Sequence, residues 1–274
     1  MIVIGERINS TRGKIKKALD DRDLEILMQE ASAQLSCGAE YIDINTAACI
    51  EREKDDLIWL AENIQAKFDC GLSIDSPDTS IVSEVIKLCK RRPFVNSISA
   101  QKDRIALMKG LMNQRESYII VLAMDDNGIP DDTEGRVSIA EDIISFALSR
   151  DIDKDSIFID PLAKPVSTEP LQAACFLETV KILRDKGIMC TGGLSNISFG
   201  LPRRDLINAV FVKLAMDAGI AAAIIDPTQL AVKNTLDGKN LPGEIFSIAR
   251  DAILGKDEYS MNYIKAFREG RLDF

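Results

Sequence analysis

The chain has no histidine among its 274 residues. That absence removes a Ser-His-Asp triad, a histidine general base and every histidine-ligated metal site. Lys and Arg number 34 against 43 Asp and Glu, a net charge of −9. The average surface therefore repels a phosphate backbone. Nucleic acid is not an expected partner, although a local pair such as Arg203-Arg204 suits a small anion. No run of about 18 apolar residues occurs, so no membrane partner is expected. The opening Met1-Ile2-Val3-Ile4-Gly5-Glu6-Arg7-Ile8-Asn9 lacks the basic leader and apolar stretch of a signal peptide, and the expectation is a cytoplasmic protein. The cysteines, Cys37, Cys49, Cys70, Cys89, Cys175 and Cys190, lack zinc-site spacing; most end apolar helical stretches or open strands and are expected as free, buried core filler. No Pro/Gly/Ser-rich linker, low-complexity segment or charge block interrupts the chain, so one domain over 1–274 is expected.

What is present is a rhythm. Short apolar or β-branched runs at 2–4, 40–44, 72–74, 94–96, 118–123, 157–159, 188–190 and 222–225 read as strands. Between them lie amphipathic stretches at 24–36, 57–68, 81–89, 104–114, 139–148, 170–185 and 204–217, and a final unit holds 230–234 and 244–253. In the third, Ile81, Val82, Val85, Ile86 and Cys89 recur every three or four residues and give one apolar face. Strict alternation means a parallel sheet covered by crossover helices. Eight units, with no GxGxxG turn after the first strand, favour a (β/α)8 TIM barrel over an open doubly wound sheet. Gly38, Gly71, Gly187 and Gly219 precede strands and read as helix C-caps.

The strand exits carry the chemistry. Asp43 and Asn45 follow or end the second strand, Asp75-Ser76 the third, Asn96-Ser97 the fourth, Asp125-Asp126-Asn127 the fifth, Asp160-Pro161 the sixth and Gly192-Gly193-Leu194-Ser195-Asn196 the seventh. Helix capping accounts for individual members. It accounts less well for Asp75, Asn96 and Asp160, which sit at the strand boundary itself. Carboxylates and amides converging on a barrel mouth suit a ligand rich in N–H groups, such as a 2-aminopyrimidinone ring, whose exocyclic amine and ring N–H make a two-point pair with one carboxylate. A magnesium site from Asp43, Asp75 and Asp160 is the alternative at this point.

Taken in order, Ile4-Gly5-Glu6-Arg7-Ile8-Asn9, Asp43-Ile44-Asn45, Ile74-Asp75-Ser76, Val95-Asn96-Ser97, Asn127-Gly128-Ile129-Pro130, Ile159-Asp160-Pro161-Leu162 and Gly193-Leu194-Ser195-Asn196-Ile197-Ser198 resemble the pterin-binding methyltransferases over nearly the full length. The chain is most similar in these motifs to the methyltetrahydrofolate:corrinoid methyltransferases and to the folate-binding module of cobalamin-dependent methionine synthase. The resemblance implies that Asp75, Asn96 and Asp160 bind the pyrimidinone edge of tetrahydrofolate or 5-methyltetrahydrofolate, with Asp43 and Asn45 in the same cup. It implies that Asn196 approaches nitrogen 5 as the catalytic hydrogen-bonding group, and that Asp160 serves as an anchor rather than the acid. It further implies methyl transfer, in either direction, to or from a corrinoid (cobalamin) held by a separate corrinoid-binding protein, no resident metal, and a homodimer. The chain departs from the family at Phe199-Gly200-Leu201-Pro202-Arg203, where the acetogenic members resemble a more polar loop, and in its acidic fifth-strand loop. Dihydropteroate synthase shares the implied fold and pterin cup, but that family typically carries a late arginine-histidine pair. A non-catalytic pterin-binding subunit is the alternative of another class.

Overall fold

The computed structural model describes residues 1–273. Eight strands form the sheet: β1 (Ile2–Asn9), β2 (Tyr41–Asn45), β3 (Gly71–Asp75), β4 (Phe94–Ser99), β5 (Tyr118–Leu122), β6 (Ile157–Asp160), β7 (Met189–Cys190) and β8 (Ala222–Ile225). All pairs are parallel, in the order β7-β6-β5-β4-β3-β2-β1-β8. The ring closes just beyond the short β7, where the Ala221 amide donates to the Cys190 carbonyl at 2.9 Å and the Ile224 amide to that of Gly192 at 3.0 Å. The expected (β/α)8 TIM barrel is the observed fold.

The helices are α1 (Gly13–Asp20), α2 (Leu24–Ser36), α3 (Glu53–Lys67), α4 (Thr79–Val85), α5 (Lys102–Ile105), α6 (Met108–Gln114), α7 (Thr133–Leu148), α8 (Gln172–Asp185), α9 (Arg204–Ala218), α10 (Leu230–Leu236), α11 (Gly243–Ile253) and α12 (Met261–Arg268). Two of them, α1 and α12, have no counterpart among the expected stretches. Each is only eight residues long and mostly polar, with an apolar face of two or three buried side chains. The stretch 81–89 tightens into a 3-10 turn over Ile86–Leu88 after α4, and 104–114 divides into α5 and α6.

The interior of the barrel follows from the pleat. Side chains two residues apart on a strand share a face. On the inward face Ile4, Tyr41, Phe94, Ile120, Phe158, Ala222 and Ile224 pack into one apolar plug, with the Phe94 ring 4.8 Å from those of Tyr41 and Tyr118 and 5.0 Å from that of Phe158. Gly71 belongs to this layer and not to a helix cap as expected: a Cβ there would fall 2.2 Å from the Tyr41 ring, so the close approach of ring to backbone demands glycine. The expected left-handed glycines do occur at Gly38, Gly187 and Gly219. A second, larger core fills the space between sheet and helices, and it includes Ile207, Val210 and Phe211 of α9 and four of the free cysteines, Cys49, Cys70, Cys89 and Cys190. No helix among the described residues is long and apolar enough to cross a membrane.

Phe94→Ala is expected to cost about 3–5 kcal/mol of unfolding free energy, because the fully buried ring contacts three others. A urea titration monitored by far-UV circular dichroism measures it, and a loss below about 1 kcal/mol would mean that the plug repacks.

Candidate functional site

One step further along the same inward face, the residue types change. Ile4 is succeeded two residues on by Glu6, Tyr41 by Asp43, Gly71 by Ser73, Phe94 by Asn96, Phe158 by Asp160 and Ile224 by Asp226. Another step gives Asn45 and Asp75, which face each other across the β2–β3 register. The polar cup is thus the upper layer of the barrel interior and rests on the apolar plug.

Within the cup the side chains hold one another. Asp43 is buried, and its Oδ1 accepts hydrogen bonds from Ser73 Oγ at 2.7 Å and Asn96 Nδ2 at 2.9 Å. That bond fixes the orientation of the Asn96 amide and leaves its carbonyl oxygen without a partner among the described residues. Asn45 is committed on both ends: its Oδ1 accepts from Ser10 Oγ and the Ala47 amide, while its Nδ2 donates to Asp75 Oδ2 at 2.8 Å. Asp75 keeps its other oxygen open. Asp160 Oδ1 accepts from the Leu162 amide at 2.7 Å, and the nearby Gly193 amide favours the charged carboxylate. None of these residues caps a helix. Asp23, Asp78 and Asp132 do that work for α2, α4 and α7.

The seventh-strand loop reaches this cup because it begins with two glycines. A Cβ on Gly192 would lie 3.2 Å from Asp160 Oδ1, and one on Gly193 would lie 3.1 Å from Asn196 Nδ2. Asn196 stands exposed at the rim on a 3-10 turn over Leu194–Ser198. Arg204 steadies that turn through the Ser195 carbonyl and Ser198 Oγ, both at 3.0 Å.

Burial dominates the electrostatics. It raises the Asp43 carboxyl, aided by the neighbouring Asp75, and raises Asp75 in turn. The pair therefore retains a proton to higher pH than ordinary carboxyls. Burial lifts Asp160 to about 6 against the opposing pull of the Leu162 and Gly193 amides and Arg136. Glu6, partly buried beside Ser195, is lifted to about 7 by burial and by Asp226, against Arg12 and Arg204. Two carboxyls at the mouth can thus hold or release a proton near neutrality.

Of the two Asp43 oxygens, Oδ1 is engaged by Ser73 and Asn96, and among the described residues no group of three His, Cys, Asp or Glu is arranged to hold a metal ion. The acidic fifth-strand loop is a tight turn. Asp125 and Gly128 exchange backbone hydrogen bonds at 3.1 and 3.0 Å, and Asp125 Oδ1 accepts the Asn127 amide at 2.8 Å.

Several contributors were given no role in the sequence reading, Glu6 and Asp226 at the mouth among them. Ser73 sits inside an apolar run, yet it shares the inward face with Asp75, so strand alternation was its available signal. Arg136 is fully buried and bonds the carbonyls of Pro130 at 3.0 Å and Leu162 at 3.5 Å and the Gln172 Oε1, tying together the loops beside Asp160. Arg7 joins Glu30 at 2.7 Å to Asp226 at 2.8 Å, stapling α2 and the β8 exit to the β1 exit. Nothing local in the sequence marks Arg136, whereas Arg7 lies in the quoted Ile4–Asn9 motif, which gave it no role of its own.

Residues 5–226 match the family described as "Pterin binding enzyme". The chain belongs to the pterin-binding enzymes. As a member of that family it is 34% identical over 276 residues to the methylcorrinoid:tetrahydrofolate methyltransferase of Eubacterium limosum, covering 99% of this chain and 98% of that protein. It is 25% identical to the methionine synthase of Mycobacterium tuberculosis, with 92% of this chain aligned to 22% of that much longer protein. Among solved structures, dihydropteroate synthase from Xanthomonas albilineans with 4-aminobenzoic acid superposes with a TM-score of 0.66 at 19% identity, covering 86% of this chain and 89% of that one. The Yersinia pestis dihydropteroate synthase gives 0.63 at 19%, covering 86% and 90%. At that identity the likeness speaks to the barrel alone.

The Asp160 carboxyl gives a pH test. Burial lifts its folded-state value from the ordinary 3.8 to about 6. Its contribution is therefore fully present below about pH 4 and is lost as pH rises through 6. Asp160→Asn is expected to gain about 3 kcal/mol on the wild type between pH 4 and pH 7, read from urea midpoints across that range. A constant difference would show that Asp160 is not desolvated.

Proposed function

We propose that this enzyme moves a methyl group between nitrogen 5 of tetrahydrofolate and the cobalt of a corrinoid carried by a separate protein. The observation that carries the reading is the end-to-end likeness to the Eubacterium limosum enzyme, which leaves no part of either chain unmatched beyond 1–2%. With no histidine, this chain offers no histidine ligand to cobalt, which fits a corrinoid brought by another protein.

The open acceptors of the cup suit the pterin. Asp75 and Asp160 each present a carboxylate oxygen, and Asn96 presents its carbonyl, to the exocyclic amine and ring N–H groups of the pyrimidinone. Asp43 and Asn45 act one step behind, the first by orienting Asn96 and the second by holding Asp75. When bound, the corrinoid supplies the cobalt centre that takes or gives the methyl group. A tertiary amine is a poor leaving group, so nitrogen 5 must gain a hydrogen bond and finally a proton as its bond to carbon breaks. Asn196 gives that hydrogen bond and orients the ring; having no useful acidity, it cannot supply the proton. Glu6, which lies beside Ser195 of the Asn196 loop and is lifted by burial to about 7, relays the proton from solvent, while Asp160 stays an anchor of the pterin. In the reverse direction the same group receives it. The pterin cup alone also suits a dihydropteroate synthase-like enzyme or a non-catalytic pterin binder; the missing histidine and the Gly192-Gly193-Leu194-Ser195-Asn196 loop favour methyl transfer.

Purified enzyme with 5-methyltetrahydrofolate and reduced cob(I)alamin, and in the other direction with tetrahydrofolate and methylcobalamin, followed by the cobalt absorption change, tests this. Asn196→Ala is expected to slow methyl transfer about 100-fold or more, the loss typical of one oriented donor, while tetrahydrofolate binds within a few-fold of wild type. Asp75→Ala is expected to weaken tetrahydrofolate binding about 10-fold or more. Tight pterin binding with no methyl exchange in the wild type would favour the non-catalytic reading.

A further inference from the structure

Arg136 stands where an arginine costs the fold most. It is the largest of the fully buried side chains, and a guanidinium taken out of water calls for a compensating charge. None touches it. The guanidinium forms no ion pair among the described residues, in a chain with 43 Asp and Glu. Arg7, by contrast, is paired with both Glu30 and Asp226. Arg136 also lies near the start of α7, just after the Asp132 cap, at the end of a helix where the dipole disfavours a cation. Its partners are all neutral oxygens: the Pro130 carbonyl at 3.0 Å, the Leu162 carbonyl at 3.5 Å and Gln172 Oε1. A residue that breaks three rules of stability at once is one that function retains.

The bonds of Arg136 lead to Asp160. Leu162 is gripped from both sides: its carbonyl accepts from Arg136 Nη1, and its amide donates to Asp160 Oδ1 at 2.7 Å. Between these two holds Leu162 keeps left-handed backbone, with φ of 69°, a conformation that non-glycine residues retain only where the surroundings enforce it. A single residue thus separates the buried cation from the buried carboxylate. The groups that face Asp160 are the Leu162 and Gly193 amides, the Cys190 thiol of β7 and Arg136. Arg136 is the one permanent positive charge among them, because a guanidinium keeps its proton even when buried.

We propose that Arg136 is a positioning residue for the pterin anchor, a buried countercharge that keeps Asp160 ionised from one residue away. This rests on the reading of Asp160 as an acceptor for the N–H groups of the pterin. A direct ion pair would occupy the oxygen that the ligand needs. Set behind Leu162, the same charge acts through the low-dielectric interior and leaves that oxygen free. The Leu162 amide fixes the other oxygen, so the carboxylate is both charged and aimed before the ligand arrives.

The test compares the full-length wild type with two neutral variants, Arg136→Gln and Arg136→Met, and with Gln172→Ala, which loosens the same loops but leaves the charge. The Asp160 carboxyl is followed by carbon-13 NMR in protein labelled at aspartate Cγ, its resonance assigned by its loss in Asp160→Asn. Tetrahydrofolate binding is measured by anaerobic calorimetry at pH 6 and pH 8. Asp160 is expected to titrate at about 6 in the wild type and about one pH unit or more higher in Arg136→Gln. The affinity of that variant relative to wild type is then about five-fold lower at pH 6 than at pH 8. Arg136→Met is expected to behave in the same way, and it carries the test if the glutamine variant does not fold. Gln172→Ala is expected to titrate within about 0.3 pH unit of wild type. An unmoved Asp160 titration in the neutral variants, an equal loss of affinity at both pH values, or an equal shift in Gln172→Ala would each overturn the proposal, leaving Arg136 as a tie between loops. A wild type that binds no tetrahydrofolate at either pH would overturn the pterin reading, and the carboxyl titration would still decide whether Arg136 sets the charge on Asp160.

Discussion

In a closed parallel barrel every strand is pleated with a period of two and all strands point the same way, so the inward residues of successive strands stack in layers. Here that constraint sorts the whole interior. The lower layer is apolar and dense, built on Phe94 and its ring neighbours, and the next layer up is carboxyls, hydroxyls and amides. The plug excludes water from below, which is why the carboxyls above it are desolvated. Asp43, Asp160 and Glu6 are all raised by burial before any other cause. Site chemistry is thus a consequence of packing two residues away.

Buried polar groups are tolerable only when they are satisfied, and the cup meets this with a short chain of hydrogen bonds. Asp43 orients Asn96 and Asn45 holds Asp75, so one member of each pair is spent on positioning and the other keeps a free acceptor. This division assigns roles within the set. Asp43 and Asn45, which motif resemblance places beside the pterin ligands, act through their neighbours.

Much of this was legible in the sequence. The eight apolar runs and the helices between them announce the barrel because each run is short, β-branched and flanked by turn residues. The polar ring was legible because Asp75 and Asp160 end their strands and Asn96, expected at a strand end and found inside β4, closes an apolar run, in a chain with no histidine to offer a competing chemistry. The rest depends on tertiary context. Gly71 reads as a helix cap until the Tyr41 ring is seen against it. Ser73 is hidden among leucine and isoleucine, and Arg136 stands on a helix whose sequence does not reveal that the guanidinium is fully buried. The helices α1 and α12 are too short and polar for periodicity to mark them; they are held by contacts distant in sequence, such as the Tyr263 hydroxyl with the Pro202 and Arg203 carbonyls.

The ring of strands is not uniform. β7 has two residues, and beyond it the barrel is joined to β8 through little more than the Ala221 and Ile224 amides and the backbone of Cys190 and Gly192. Asn196 hangs from this seam. The joint with the fewest cross-links is the most compliant one in the wall, so the hydrogen-bonding loop can breathe with the arrival and departure of a bulky guest while the β2–β3–β4 side, where Asp43, Asp75 and Asn96 are knotted together, stays still. The barrel thus has a fixed jaw and a yielding one.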